Sequence, residues 1–76
     1  MRIEWSPEAR ASARRYMDDQ DGMHAIGVAV ASLAFDPNPE NAFIRGDYRR
    51  LRVGPYHVMY VIDDDVITIE RVDLVR

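Results

Sequence analysis

The sequence of 76 residues contains no cysteine and no lysine. Without cysteine the chain forms no disulfide, no thiolate metal site and no cysteine nucleophile, which suits a reducing compartment such as the cytoplasm. Because lysine is absent, all ten basic side chains are arginine. A guanidinium stabilises negative charge but cannot act as a general base near neutral pH. Any proton transfer must therefore come from another type of side chain or from water.

The chain also lacks a long hydrophobic run. No stretch approaches the roughly 18 apolar residues of a membrane span, and residues 1–10 lack the apolar core of a secretory signal. The net charge of −3 provides no bulk attraction to nucleic acid. A chain of 76 residues is long enough for one domain with one core. We therefore expect a single cytoplasmic domain over residues 1–76 that does not bind membranes.

The basic residues are concentrated in one segment. Residues 45–57 carry four arginines and one aspartate, whereas the rest of the chain carries six arginines and twelve acids. A basic segment on an acidic chain indicates a local anion site rather than a surface for polyanions in general. The alternative is a solvated strand face whose arginines only keep a sheet soluble.

The spacing of apolar residues predicts one strand followed by two helices. Residues 2–5 alternate as a strand does. Ser6 before Pro7 is a favourable helix start, from which apolar residues recur at helical spacing to about residue 19. A second helix is predicted over residues 22–35, where two closely spaced prolines end it.

The rest of the chain is predicted to form strands. These cover Tyr48–Val53, Tyr56–Ile62 and Val66–Val75, with a bulge near Glu70 in the last strand. The three aspartates at 63–65 alternate in direction, so we expect a solvated turn there rather than a metal site. The predicted fold is α+β in the order β-α-α-β-β-β, with a helical hairpin on one face of a small antiparallel sheet.

The functional prediction rests on the central hairpin. If Gly54-Pro55 is a two-residue loop, Arg52 pairs with His57, and both share one face with Arg50 and Tyr48. Two guanidiniums and an imidazole suit a phosphodiester, because arginine binds phosphoryl oxygens and imidazole moves protons near neutral pH. The tyrosine adds a ring on which a base can stack.

The other face of this hairpin is apolar apart from Arg49, and we expect it to pack on the helices. A one-residue slip in register would exchange the two faces. It would then place several arginines against the helices, which is energetically costly. The register that pairs Arg52 with His57 is therefore preferred.

The order of motifs after Arg45 is distinctive. An arginine-rich strand ends in Arg52-Val53-Gly54, a second strand runs through Tyr60, an acidic turn follows, and the last strand ends in Arg76. This order resembles the RelE/ParE superfamily of bacterial toxins, and the predicted order of strands and helices is also similar to that family. The resemblance implies the toxin of a type II toxin-antitoxin pair, held inactive by a cognate antitoxin protein that covers the basic face.

The resemblance implies two different activities. In the RelE-like branch it implies a metal-independent endoribonuclease that cleaves mRNA, usually on the ribosome, by attack of a ribose 2′-OH on the adjacent phosphate. In the ParE-like branch it implies inhibition of DNA gyrase by binding, without chemistry. A third alternative is a degenerate member that only binds its antitoxin. We expect the endoribonuclease, acting through translation inhibition and without a cofactor.

For the nuclease, the resemblance assigns roles to individual residues. Arg50 and Arg52 match basic positions of the family and Arg76 matches the arginine that ends its last strand, so these three are expected to stabilise the charge of the transition state. His57 stands where the family usually has arginine, and its imidazole is expected to act as general acid or base. The expected RNA-binding residues are Arg45, Tyr48 and Arg49. The C-terminal segment that often supplies a catalytic tyrosine in this family has no counterpart after Arg76. Proton transfer is therefore expected from His57, Tyr48 or water, and no metal is expected.

Overall fold

Within residues 1–75 the chain forms one short strand, then two helices, then four further strands, and the fold is of the α+β class. The computed structural model describes residues 1–75. Its elements are β1 (Arg2–Trp5), α1 (Pro7–Arg14), α2 (Gln20–Leu33), β2 (Ala42–Arg45), β3 (Tyr48–Val53), β4 (Tyr56–Asp63) and β5 (Val66–Leu74). The strands form one sheet in the order β1-β5-β4-β3-β2, and the helices pack on one side of it. The predicted α+β fold with a helical hairpin on one sheet face is confirmed.

Three details of the fold differ from the prediction. The sheet is mixed, because β1 pairs with β5 in parallel, and it contains the additional strand β2. The strand β2 escaped prediction because three of its four side chains are exposed, so its sequence has no inside-outside alternation. The helix α1 ends at Arg14, well before residue 19, and the chain continues in turns up to Asp19.

Each helix begins at a capping side chain. The Ser6 hydroxyl accepts a hydrogen bond from the backbone N–H of Ala9 at 3.0 Å, and Pro7 occupies the first turn of α1, as predicted. The Asp19 carboxylate accepts one from the N–H of Gly22 at 3.0 Å. No helix within residues 1–75 has the length and hydropathy needed to cross a membrane.

The core lies between the helices and the inner face of the sheet. Its members are apolar side chains from both layers: Ala9, Ile26, Val30, Leu33, Leu51, Tyr56, Val58, Tyr60, Ile67, Ile69 and Val72. The hydroxyl of the fully buried Tyr60 donates a hydrogen bond to the Pro37 carbonyl at 2.7 Å, which satisfies its polar group. The expectation that the apolar face of the hairpin packs on the helices is confirmed, since Tyr56 and Tyr60 belong to the core.

The central hairpin has the predicted register. Val53 pairs with Tyr56 and Arg52 with His57, so Gly54-Pro55 is a two-residue loop. Gly54 has φ +56°, and the proline ring fixes the next φ at a negative value. This combination is that of a type II′ turn, whose first position favours glycine.

A bulge in β5 is held by side chains of the first helix. Met59 pairs with Arg71 but Tyr60 pairs with Ile69, which leaves Glu70 as the extra residue, as predicted. The Ser6 hydroxyl donates to the Glu70 carbonyl at 3.2 Å. Beyond the end of β1, Ser12 Oγ accepts the N–H of Val72 at 2.9 Å and Tyr16 Oη accepts that of Leu74 at 3.3 Å. Hydroxyls of α1 and its following turn thus take over the hydrogen bonding that β1 no longer supplies.

Candidate functional site

The side of the sheet away from the helices is its open face. Within residues 1–75 no helix packs against it. The strand register places on its central part the side chains of Phe43, Arg45, Tyr48, Arg50, Arg52, His57, Met59, Val61, Arg71 and Asp73. Within residues 1–75, this central part therefore combines four guanidiniums, one carboxylate and one imidazole with several apolar groups.

Three charged or titratable residues form a row across the middle of the open face. Arg52 on β3 lies opposite His57 on β4, which in turn lies opposite Asp73 on β5. Residues directly opposite in antiparallel strands have Cβ atoms about 4.5–5.5 Å apart. The Nε of Arg52 donates to the Gly54 carbonyl at 2.6 Å, which anchors the guanidinium beside the turn. Its Nη atoms have no hydrogen-bond partner in the described part of the chain.

Arg50 lies next to this row and is held differently. Its guanidinium carbon is 5.1 Å from the centroid of the Phe43 ring, a cation–π contact. The salt bridges within residues 1–75 join Arg2 to Glu4 and Arg71 to Asp73, the second at 2.9 Å, and involve neither Arg50 nor Arg52. Two guanidiniums are thus oriented but not neutralised, which suits the binding of a phosphate.

The imidazole of His57 is a weaker base than an ordinary histidine. Partial burial is the main cause that lowers its pKa, and the charges of Arg50 and Arg52 lower it further, whereas Asp73 raises it. Because the ordinary value is 6.5, the imidazole is neutral at pH 7 and can accept a proton there.

Five of the seven predicted site residues lie together on the open face: Arg45, Tyr48, Arg50, Arg52 and His57. Arg49 does not, because the alternation of β3 turns it toward the helix side. There its Nε donates to Asn38 Oδ1 at 2.7 Å and its Nη1 to the Gly46 carbonyl at 2.6 Å. The predicted catalytic residue Arg76 lies outside the described residues.

Phe43, Arg71 and Asp73 belong to the open face although the sequence argument did not select them. Phe43 belongs to the unpredicted strand β2. The two residues of β5 were within reach of prediction, because a bulge at Glu70 reverses the side-chain parity of everything after it. Following that reversal along the strand places Arg71 and Asp73 away from the helices.

On the helix side of the sheet, a hydrogen bond between Tyr56 and Asp19 holds the turn end of the β3–β4 hairpin. The hydroxyl of Tyr56 donates to Asp19 Oδ2 at 2.6 Å, and the Tyr16 ring lies 5.3 Å from the Tyr56 ring. This hydrogen bond lowers the pKa of Asp19 and is the main cause that raises the pKa of Tyr56 to about 12. A Cβ at Gly22 would lie 2.7 Å from the Tyr56 ring, so only glycine fits there.

No group of three metal-ligating side chains occurs among residues 1–75. The aspartates at 63–65 are exposed at the β4–β5 turn, as predicted, and Asp64 has a left-handed φ of +54°. The residues of the open face can bind an anion through their guanidiniums and transfer a proton through the imidazole of His57.

The sequence matches a known family over almost its whole length. The family described as ParE toxin of type II toxin-antitoxin system, parDE, matches residues 3–74. The chain belongs to the ParE toxin family. This membership confirms the predicted resemblance to RelE/ParE toxins of type II systems. Among curated proteins, none matches the chain in sequence.

Solved structures share the fold of this ParE-family chain. The chromosomal ParDE system of P. aeruginosa has a TM-score of 0.82 at 19% identity, covering 100% of this chain and 97% of that one. YafQ from E. coli BL21(DE3) has a TM-score of 0.75 at 19% identity, covering 97% and 93%. The RelBE2 toxin-antitoxin complex of Mycobacterium tuberculosis has a TM-score of 0.65 at 24% identity, covering 96% and 95%.

Proposed function

We propose that this ParE-family toxin is a metal-independent endoribonuclease that cleaves mRNA in the cytoplasm and so inhibits translation. The observation that carries the proposal is the pairing of Arg52 with His57 on the open face, with Arg50 beside them. Guanidiniums without acidic partners bind the phosphate, and a neutral imidazole accepts a proton. Both functions meet at one place on a surface that the helices leave uncovered.

The chemistry follows from these two groups. The neutral imidazole of His57 takes the proton of a ribose 2′-OH, whose oxygen then attacks the adjacent phosphorus. Arg50 and Arg52 stabilise the additional negative charge on the phosphoryl oxygens in the transition state. The bond to the 5′ oxygen breaks, and the leaving oxygen takes a proton from water or from the imidazolium. The products are a 2′,3′-cyclic phosphate and a free 5′-OH.

The RNA-binding surface extends along β2 and β3. Arg45 and Tyr48 lie opposite each other at the far end of the open face, and Tyr48 is 44% exposed. A guanidinium and an aromatic ring there provide a phosphate contact and a stacking platform for a neighbouring nucleotide. We retain Arg76 as a third cation of the active site. Arg49 acts from the helix side of β3, where its Nη1 donates to the Gly46 carbonyl in the turn between β2 and β3.

Inhibition of DNA gyrase by binding is the second candidate function. The open face places apolar side chains among its arginines: Phe43 is 56% exposed, and Met59 and Val61 are partly exposed. Aromatic residues, methionine and arginine together are the composition of protein-binding surfaces. Such a surface would bind a target protein without chemistry.

This mixture of arginines and apolar side chains on the open face also suits the binding of a cognate antitoxin. Solved relatives include a toxin-antitoxin complex. We propose that an antitoxin segment with acidic and apolar side chains covers the open face of this chain and blocks access of RNA to Arg52 and His57. A chain that binds its antitoxin but neither cleaves RNA nor inhibits gyrase would be the degenerate member.

The decisive test is Arg52→Ala in the purified protein. We expect RNA cleavage to fall by roughly 10²–10³-fold, because one preorganised cation is removed from the transition state. Arg10→Ala is the matched control, since Arg10 is exposed on α1, away from the open face. Cleavage products are measured with purified RNA and with translating ribosomes, and DNA supercoiling by gyrase is measured in parallel.

Each result of that test separates the candidates. Unchanged RNA cleavage by folded Arg52→Ala protein contradicts the nuclease mechanism. Loss of supercoiling without any RNA cleavage supports the gyrase inhibitor. The variants His57→Ala and His57→Arg test whether the imidazole is the general base, because arginine cannot accept a proton near neutral pH. If His57→Arg is as active as the wild type, the imidazole is not the general base.

A further inference from the structure

We propose that Asp73, held by Arg71, is a positioning residue that orients the imidazole of His57 on the open face. The proposal deepens the proposed nuclease and rests on it for its catalytic meaning. The position of the carboxylate beside the imidazole is a property of the fold that can be tested without RNA.

The bulge in β5 is what brings Asp73 to the open face. Before the bulge Ile67 and Ile69 point into the core, and after it Val72 does so. If β5 continued regularly through Glu70 without the bulge, the side chain of Asp73 would point into the apolar core. The hydroxyl of Ser6, the N-cap of α1, binds the carbonyl of the bulge residue Glu70, and the hydroxyl of Ser12 in α1 binds the N–H of Val72. The shift in parity is therefore built into the helix-sheet contact.

The register then sets Asp73 directly opposite His57. In this position a short carboxylate comes within hydrogen-bonding reach of an imidazole through rotation of the two side chains. Arg52 lies opposite His57 on the other side, so the imidazole stands between an acid and a guanidinium. Among residues 1–75, the rows of Arg50 and Arg52 contain no carboxylate other than that of Asp73.

The salt bridge with Arg71 holds the carboxylate of Asp73 in one orientation. Its Nε donates to Asp73 Oδ1 at 2.9 Å, and Asp73 is partly buried, with 31% of its side chain exposed. Within the described residues Oδ2 has no hydrogen-bond partner, so it is free to accept the N–H of an imidazole. A carboxylate that accepts one ring N–H fixes the tautomer and leaves the other ring nitrogen unprotonated. That nitrogen can then act as the base.

The charges around His57 explain why a carboxylate is useful there. Arg50 and Arg52 on β3 face the imidazole and weaken it as a base, as does its partial burial. Asp73 on β5 opposes them, and Arg71 beside it moderates that effect through the salt bridge. A phosphate-binding pair of arginines and an effective base can therefore coexist, because the acid on the neighbouring strand compensates part of the positive charge.

The test is an NMR titration of the two histidines in wild-type and Asp73→Asn protein. We expect the pKa of His57 to fall in the variant, because only the carboxylate raises it. His24, exposed on α2, is the internal reference and should be unchanged. Asp63→Asn removes an equal charge from the far end of β4 and should leave His57 unchanged as well.

The activity measurements add a second readout. In Asp73→Asn we expect a roughly tenfold slower RNA cleavage at pH 7 with an acidic limb of the pH–rate profile displaced to lower pH, and recovery in Asp73→Glu. An unchanged titration of His57 in Asp73→Asn overturns the positioning role, whatever happens to cleavage. If His57 responds as expected but the wild type cleaves no RNA, the nuclease proposal fails and the carboxylate-imidazole pairing stands.

Discussion

The two faces of the β3–β4 hairpin are built from the same two strands but have opposite environments. On the inner face Leu51, Val58 and Tyr60 are almost completely buried against the helices. On the open face Arg50 and Arg52 are exposed and unpaired by acids within residues 1–75. Strict alternation along a strand separates the two sets of side chains. The fold can therefore be stabilised by one face while the other remains available for binding.

The same contrast between the inner face and the open face holds for residues of a single type. Arg49 on the inner side donates hydrogen bonds to Asn38 and Gly46, whereas the guanidinium of Arg52 is anchored only through Nε. Among the tyrosines, the hydroxyls of Tyr56 and Tyr60 have partners within the protein. The polar groups of Arg49, Tyr56 and Tyr60 on the inner side therefore form hydrogen bonds within the protein, whereas the Nη atoms of Arg52 on the open face have no partner among residues 1–75 and can bind a ligand.

The largest difference in stability is expected between substitutions at two neighbouring residues of β5, Ile67 and Thr68. Ile67 is fully buried, so Ile67→Ala should lower the free energy of unfolding by about 2–5 kcal/mol. Thr68 points to the open face, and Thr68→Ala should cost less than about 1 kcal/mol. Urea denaturation followed by circular dichroism measures both. Similar losses from the two variants would contradict the assignment of the faces.

A smaller effect is expected from Arg49→Ala. It removes two hydrogen bonds from an incompletely buried side chain, at a cost of about 1 kcal/mol. RNA cleavage should remain close to that of the wild type, in contrast to Arg52→Ala. A loss of cleavage as large as that of Arg52→Ala, in protein that remains folded, would show that both faces of β3 contribute to the site.

The smallest effect concerns the dependence of stability on pH. Because the hydrogen bond from Tyr56 lowers the pKa of Asp19, its contribution is present above the ordinary value of 3.8 and is lost as the pH falls through the lowered value. Between about pH 6 and about pH 2 the wild type should therefore lose more stability than Tyr56→Phe. On the alkaline side the contribution is present below pH 10 and is lost as the pH rises toward about 12.

That comparison is checked by denaturant unfolding of both proteins at a series of acidic pH values. Tyr48→Phe serves as a control, since Tyr48 lies on the open face and forms no hydrogen bond with the described residues. Parallel stability curves for wild type and Tyr56→Phe would mean that the hydroxyl does not stabilise the ionised carboxylate.

The central hairpin could be predicted almost completely, whereas other elements could not. Its register follows from alternation in two adjacent strands and from a glycine at the turn, both of which are local. The strand β2 has three exposed side chains out of four, and only its pairing with β3 makes it a strand. The helix α1 was predicted too long, because apolar spacing continues through Tyr16 and Met17 although the chain leaves the helix after Arg14.

Sequence alone determined which side chains share a face, and hence that Arg50, Arg52 and His57 meet on the side opposite the core. That information lies in a period of two residues and in the cost of burying charge. Only the tertiary structure decided what surrounds them. Asp73 lies opposite His57 because β4 and β5 pair across a bulge, and hydroxyls of α1 and its N-cap bind the β5 backbone there. The bulge itself could be predicted from the sequence, but the register that sets Asp73 opposite His57 depends on the packing of several elements at once.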